Sequence, residues 1–422
     1  MAEINYLDML DKELKNIVAL VGEEARNRHC KAFLIGGIVR DLILRRKNCD
    51  LDIVVEGDAL QLAQAVGKIL KMDLKVHEAF QTGTLVAANN MRIDFATSRR
   101  EMYPKPGALP VVETAHLDAD IFRRDFTINA LAISINPDTF GKLIDLYGGM
   151  ADLQKGLIRI FHENSFVDDP TRVLRAVRFE QRFNFEIERA TWQLFQESVR
   201  QKRYETVKAP RYFNEFKKIL LEEDPIPALK RLKASGGLNF WSAPIKFNLK
   251  ALTALRRKIV DSGRRNIMPE FSNNWLLYLM ALMEDLDRKK FLDILNKIQM
   301  KRELADSVVS IKDRAKIFKA LARQGLCDSE IFRILQPYTS ETLLYFLFRS
   351  TNALIRKRIE HYFKKTRTIQ LKIDGEDIKR LGVHEGKRVG IILNKVLNEK
   401  IDRSLRTKGQ EIKVAKVLLG LT

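Results

Sequence analysis

The sequence predicts an α+β chain, with a mixed sheet and its helices first and an all-helical remainder. Two observations carry this. Short apolar runs that alternate with polar residues, separated by glycine turns, occur before about residue 140. From about residue 188 the pattern is almost wholly helical; WLLYLMALMEDL, FLDILNKIQM and SEIFRILQPY are apolar-rich helices divided by short polar turns. A chain of 422 residues, 45% hydrophobic, 8% aromatic and 30% charged, suits a helix-rich soluble protein of about two to four domains.

Charge narrows the class of partner. Lys and Arg number 74 against 54 Asp and Glu, a net +20, which favours a polyanion such as RNA or DNA. A membrane is disfavoured, because the longest apolar run, Trp275 to Met283, falls short of the ~20 residues that span a bilayer. The N-terminus MAEINYLDMLDKELK is acidic and amphipathic, unlike a signal peptide. Cys30, Cys49 and Cys327 are scattered, which excludes a disulfide framework and a zinc ribbon, and a reducing cytoplasm fits. The six histidines show no ligand spacing.

In chain order, residues 4 to 28 read as a helix with Leu7, Leu10, Leu14, Ile17, Val18 and Val21 at helical spacing. LIGGIVRDLILRRKNCDLDI, residues 34 to 53, reads as glycine turn, helix, strand. Gly36 and Gly37 let the backbone approach a phosphate with no Cβ in the way, and the helix start offers free N–H groups. Asp50 and Asp52 share one strand face by the period of two, while Leu51 and Ile53 take the other. Two adjacent carboxylates repel each other and suit a divalent cation carrying a nucleotide's phosphates. The spacing is not that of a Walker A loop, since GxxxxGK[ST] does not occur.

Residues 60 to 72 read as a second amphipathic helix, and KVHEAFQTGTLVAANNMRIDFAT as two strands of one sheet. Asp94 on the second of these is either a third carboxylate, suited to accept a proton from an attacking hydroxyl, or a plain strand-edge aspartate. Residues 98 to 120, with three prolines and no clear period, read as a long loop. RRDFTINALAISI puts Asp125 and Asn129 four apart on one helical face, with Arg124 able to reach phosphates and the pair able to reach a ribose. In FVDDPTRVLRAVRF, Asp169 before Pro170 is a helix cap, and Arg172, Arg175 and Arg178 follow at steps of three. Farther on, Lys364, Lys365 and Arg367 belong to a strongly basic stretch. Lys387 and Arg388 follow a glycine turn whose N–H groups could hold a nucleic-acid phosphate.

GGIVRD with DLD, then RRDFTINALA, then FVDDPTRVLRAVRF, in that order, resembles the bacterial-type (class II) tRNA nucleotidyltransferase and poly(A) polymerase family. The resemblance covers roughly residues 30 to 220, and IDGEDIKRLGVHEGKRVGIILNKVL resembles the family's last part more weakly. It implies a polymerase β-like nucleotidyltransferase head at 1–140, a helical neck with the base-reading motif at 141–220, a helical body at 221–330 and a tRNA-binding tail at 331–422. It further implies addition of CCA, or its terminal A, to tRNA 3′ ends from CTP and ATP at a two-metal Mg2+ site, with poly(A) synthesis as the alternative; intact Asp50 and Asp52 argue against a third reading, a catalytically silent RNA-binding protein. By motif, Asp50 and Asp52 resemble the catalytic metal carboxylates. Gly36, Gly37, Arg40 and Arg124 would meet the triphosphate. Asp169 and Arg172 resemble the pair that reads the base, supported by Arg175 and Arg178. The family often has Glu-Asp where this chain has Asp168-Asp169.

The base-reading expectation has an independent physical basis. Cytosine offers acceptor N3 beside an amino donor, and adenine offers N1 beside its own. A fixed Arg donor next to an Asp acceptor satisfies both, whereas guanine and uracil would face the arginine donor with an N–H.

Overall fold

A computed structural model describes residues 5–78, 81–87, 91–241, 247–264 and 273–421. They form two compact units, Met1–Ile219 with Pro227–Phe240, and Leu220–Ile226 with Trp241–Thr422.

The first unit opens with α1 (Lys12–Asn27). Asp11 caps it by accepting from the Leu14 amide at 2.9 Å, and Leu14, Ile17, Val18 and Val21 form its buried stripe. The helix expected over 4–28 is therefore divided. Tyr6–Met9 is a separate 3-10 turn that ends where Leu10 turns extended, and residue 4 lies outside the described residues. Then come β1 (Lys31–Ile35), α2 (Gly37–Ile43), β2 (Leu51–Glu56), α3 (Ala59–Leu70), β3 (Asp73–His77), β4 (Thr82–Val86) and β5 (Arg92–Thr97). The two strands expected across 75–97 are parts of three, because residue 81 has positive φ and turns the chain once more than the alternation suggested; residues 79–80 and 88–90 lie outside the described set.

The expected loop over 98–120 is also corrected. It holds a hairpin, β6 (Arg99–Met102) with β7 (Val111–Thr114), and most of α4 (Leu117–Phe122). Each strand has only four residues, too few to show a period. The hairpin's tip is fixed: Gly107 has φ +68, and its amide donates to the Asp168 carbonyl at 3.2 Å.

A 3-10 turn, Thr127–Asn129, leads to β8 (Ala132–Ser134), β9 (Leu143–Ile144), α5 (Gly149–Lys155), β10 (Leu157–Ile158), α6 (Ser165–Asp168), α7 (Arg172–Phe183), β11 (Glu186–Ile187), α8 (Arg189–Arg200), α9 (Ala209–Leu220) and α10 (Ile226–Ala234). Seven strands make one sheet in the order β3-β4-β5-β2-β1-β8-β9. Only β2 and β5 in it run parallel, at its centre. Phe33, Ile35, Val54 and Ala132 of the sheet pack against Leu117 and Ile121 of α4, a core that holds the carboxyl end of β1 and the start of β2 in place.

The second unit is helical among its described residues, from Leu249–Arg264 to Lys408–Leu419. Its helix Asn274–Met283 is buried almost all round, as its uniformly apolar sequence requires. A last cluster is built from Ile378, Val389, Ile392, Val396 and Ala415, with the Lys400–Glu411 ion pair buried beside it. Lys364 and Lys365 stand on a π-turn, Tyr362–Thr366, with Arg367 next; Lys387 and Arg388 stand on the first turn of the helix Gly386–Arg403. All five are exposed. No helix among the described residues is long and apolar enough to cross a membrane.

Candidate active site

The site grows from the centre of the sheet. β1 ends at Gly36, whose φ of +76 only glycine adopts without strain, and the Arg124 Nη1 lies 3.1 Å from where a Cβ would stand. Gly37 opens α2, which has only seven residues, so little helix dipole stands behind its N-terminus. The chain then returns in β2. Asp50 precedes the strand and Asp52 lies within it, both exposed, while Leu51 and Ile53 are buried, as the alternation predicts.

The parallel register sets Asp52 directly beside Asp94 of β5. Asp94 accepts from the Thr84 hydroxyl across the next pair and has Arg92 at 3.7 Å. Asp52 and Asp94 thus stand side by side on neighbouring strands, with Asp50 near enough to act on Asp52. Asp52 keeps an open face yet sits among protein atoms, and that partial burial, with Asp94 and Asp50 beside it and Arg124 opposing, pushes its carboxyl up to about 6. This is an acidic cluster short of positive charge.

Arg124 is held, not loose. Its Nη2 meets Asp120 Oδ2 at 2.9 Å, and Arg123 grips the other oxygen at 2.6 Å. Asp120 is fully buried; burial alone would raise its pKa, but Arg124 and Arg123 together hold it below the usual carboxylate range. The Arg124 Nε is buried with no hydrogen-bond acceptor among the described residues, an unmet donor at the glycine turn. Asp120 was missed in the sequence. Its only signal is the spacing of three and four to the two arginines in DIFRR, easily lost in an acid-rich segment.

Asp125 and Asn129 do meet, but by a different backbone from the helix expected. Phe126 is extended and a 3-10 turn follows, yet Asn129 Nδ2 donates to Asp125 Oδ1 at 3.0 Å. The pair is buried in a charge relay. Arg175 donates to Asp125 Oδ2 through Nε at 2.7 Å, and Asn129 Oδ1 accepts from Arg40. Burial would raise Asp125, but Arg175 and Asn129 hold it down to about 2. Arg175 also faces Glu215 of α9 at 3.5 Å.

Arg40, expected at the triphosphate, is buried. It pairs with Asp41 at 2.8 Å and lies over the Phe183 ring at 4.5 Å, so its charge is already spent inside the wall. The rings of α7 that cover it lie some hundred and forty residues away in the chain, beyond any local pattern. Arg178 is likewise buried, over Phe179 at 4.5 Å.

Asp169 ends α6 and caps the turn into α7: its Oδ1 accepts from the Thr171 amide at 3.0 Å and hydroxyl at 2.7 Å. Arg172 begins α7, with Nη2 donating to the Arg123 carbonyl at 2.7 Å and Nη1 to Ser165. Here the two do not bond each other. Asp169 Oδ2 pairs with Arg211 Nη2 at 2.9 Å, and the same guanidinium donates to the Gly107 and Ala108 carbonyls at the hairpin tip. Arg211 and Glu215, four apart on α9, therefore serve two different partners of the site.

Comparison with known proteins fits this geometry. Residues 32–159 match the poly A polymerase head domain, and 184–241 match the probable RNA and SrmB-binding site of polymerase A. The A-adding tRNA nucleotidyltransferase of Halalkalibacterium halodurans is 31% identical over 90% of this chain and 87% of its own. The chain belongs to the tRNA nucleotidyltransferase and poly(A) polymerase family. The A-adding relative from Geobacter sulfurreducens is 33% identical over 91% of this chain, and the chain spans 44% of that protein's length. Among solved structures of the family, a CCA-adding enzyme in apo form superposes with a TM-score of 0.72 at 32% identity, covering 99% of this chain and 98% of that one. A CCA-adding enzyme in complex with ATP gives 0.70 at 31% identity over 99% of this chain and 98% of that one, and the Thermotoga maritima CCA-adding enzyme with tRNA gives 0.66 at 30% over 98% of both.

Proposed function

We propose that the chain transfers nucleotides from ATP, or CTP and ATP, to the 3′ end of tRNA, completing CCA or its terminal A. The observation that carries this is the carboxylate edge, Asp50, Asp52 and Asp94, facing an arginine whose donor is unmet beside a glycine turn. The names of the most similar relatives and the ATP and tRNA complexes of the neighbours support the same substrates. Relatives named A-adding match over most of this chain, and poly(A) synthesis is disfavoured.

Asp50 and Asp52 would hold Mg2+. Among the described residues no group of three or more His, Cys, Asp or Glu side chains is placed to hold a metal ion by itself. An open carboxylate pair fits magnesium nonetheless, since that ion keeps most of its shell for water and substrate phosphates. When bound, the ion neutralises charge on the transferring phosphate. Gly36, Gly37 and Arg124 receive the triphosphate. The RNA 3′-hydroxyl attacks the α-phosphorus, the bond to the β-phosphate oxygen breaks, pyrophosphate leaves, and the hydroxyl proton passes to Asp94. Asp125 and Asn129 face the ribose from their buried relay, with Arg40 and Arg175 positioning them. Asp169 and Arg172 read the base edge once Asp169 leaves Arg211. Lys364, Lys365, Arg367, Lys387 and Arg388 meet the tRNA backbone.

The test is incubation with labelled CTP or ATP, magnesium, and tRNA lacking either CCA or only its final A, followed by sequencing of the product end. One to three added nucleotides ending in A are expected. No incorporation at any metal or salt concentration, or long adenosine runs, would overturn the reading.

A further inference from the structure

A cavity of about 600 Å3 lies within the first unit, just before the carboxylates, and none of the motifs above accounts for it. Its floor is apolar, from Leu10 and Leu14 on one side and Leu42 of α2 on the other. Its rim is the loop between α2 and β2. Arg45, at φ 54, turns the chain there, and Arg45 and Lys47 are exposed with no ion-pair partner among the described residues. Arg46 is already committed, over Phe183 at 4.9 Å. The one acid in the lining, Asp11, is occupied in capping α1.

The loop is also built rather than loose. Asn48 donates to Asp41 Oδ2 at 2.8 Å, and its own oxygen accepts from the Asp50 amide at 3.0 Å. The Asn48 amide nitrogen further lies 3.9 Å from where a Gly37 Cβ would be. One side chain thereby ties the cavity rim to the glycine turn and to the first carboxylate.

We propose that this cavity receives the 3′-terminal nucleotides of the RNA being extended. An apolar floor accepts the face of a base, whatever its identity, and free cations at the rim accept the phosphates on either side. The volume suits one or two nucleotides rather than a helix. The single-stranded end would enter past Arg45 and Lys47 and leave its 3′-hydroxyl toward Asp50 and Asp52. This inference rests on the functional reading above and names where its acceptor binds.

Cys49 is an exposed thiol in the lining and supplies a probe that needs no turnover. The full chain, with a metal chelator present, is treated with a maleimide alone, with ATP or CTP, and with tRNA lacking its final A. Peptide mapping reads Cys49 separately from Cys30 and Cys327. tRNA is expected to slow Cys49 labelling at least about fivefold, and nucleotide alone to leave it unchanged. A companion variant, Arg45→Glu with Lys47→Glu, should raise KM for tRNA by about tenfold or more while KM for ATP stays put. Cys49 labelled at the free rate while a gel shift shows the tRNA bound would overturn the site and spare the functional reading. Protection by nucleotide alone would assign the cavity to the triphosphate and also overturn it. Absence of any tRNA binding would overturn both.

Discussion

Two groups of acidic side chains, both in the first unit, have opposite surroundings. Asp52 keeps an open face, and its partial burial first, then Asp94 and Asp50 against Arg124, push its pKa up to about 6. Asp125 is buried, receives hydrogen bonds from Arg175 and Asn129, and is held down to about 2. The difference separates two uses of the same residue type. A carboxylate satisfied within the protein is part of a network, and removing it takes a partner from Arg175, which keeps Glu215, and from Asn129. A carboxylate crowded by its own kind is waiting for charge from outside, and the folded chain tolerates it at a cost.

Breaking the open member should act on chemistry. Asp52→Asn is expected to lower kcat for transfer by at least about 10³-fold, while tRNA affinity, measured by gel shift, stays within about threefold. Breaking the buried member should act on folding. Asp125→Ala takes one of two carboxylates from the half-buried Arg175 and an acceptor from Asn129, a loss of about 1.5–3 kcal/mol, read as a fall in Tm or in the denaturant midpoint.

The pair proposed to read the base, Asp169 and Arg172, is intermediate, because both members are held by protein contacts. Arg172→Ala should keep triphosphate and metal binding but lose about 10- to 150-fold of its preference for ATP and CTP over GTP and UTP. kcat/KM for the four nucleotides on one tRNA reads this; equal slowing with all four would make Arg172 purely structural. Arg211→Ala, which frees Asp169 and the hairpin tip together, should change selectivity in the same assay by a smaller factor.

The pH response sharpens the contrast further. Asp52 has a folded pKa above its unfolded value, so stability is fullest below about pH 4 and falls as pH rises through about 6. Solvent at its open face moderates the size of that fall. Asp125 is the reverse: its contribution is present above about pH 4 and is lost as pH drops toward 2. Asp94→Asn removes one of the charges that raise Asp52. It should move the Asp52 titration, measured by carboxyl NMR, downward.

Much of the open group was legible in the sequence, and little of the closed one. DLD on an apolar run fixes which faces Asp52 and Leu51 take, because the strand period is short and local. Its pairing with Asp94 depends on the β2–β5 register, which no local pattern states. In the closed group the four-residue spacing of Asp125 and Asn129 suggested a helix, and the contact survives although the backbone is a 3-10 turn. The partners Arg175 and Arg40 could not be assigned, since an arginine reads alike whether it faces a phosphate or a buried carboxylate. Burial decides that, and burial comes from rings and strands far away in the chain, such as Phe179 and Phe183 around Arg40.

The most direct measurement sets Asp52→Asn and Asp125→Asn side by side, recording Tm and nucleotide transfer for each at pH 7. We predict that Asp52→Asn holds or raises Tm and abolishes transfer, while Asp125→Asn lowers Tm by several degrees. A destabilised Asp52→Asn chain that still transfers nucleotides, beside an Asp125→Asn chain with unchanged Tm, would contradict the division of the site into scaffold and waiting charge.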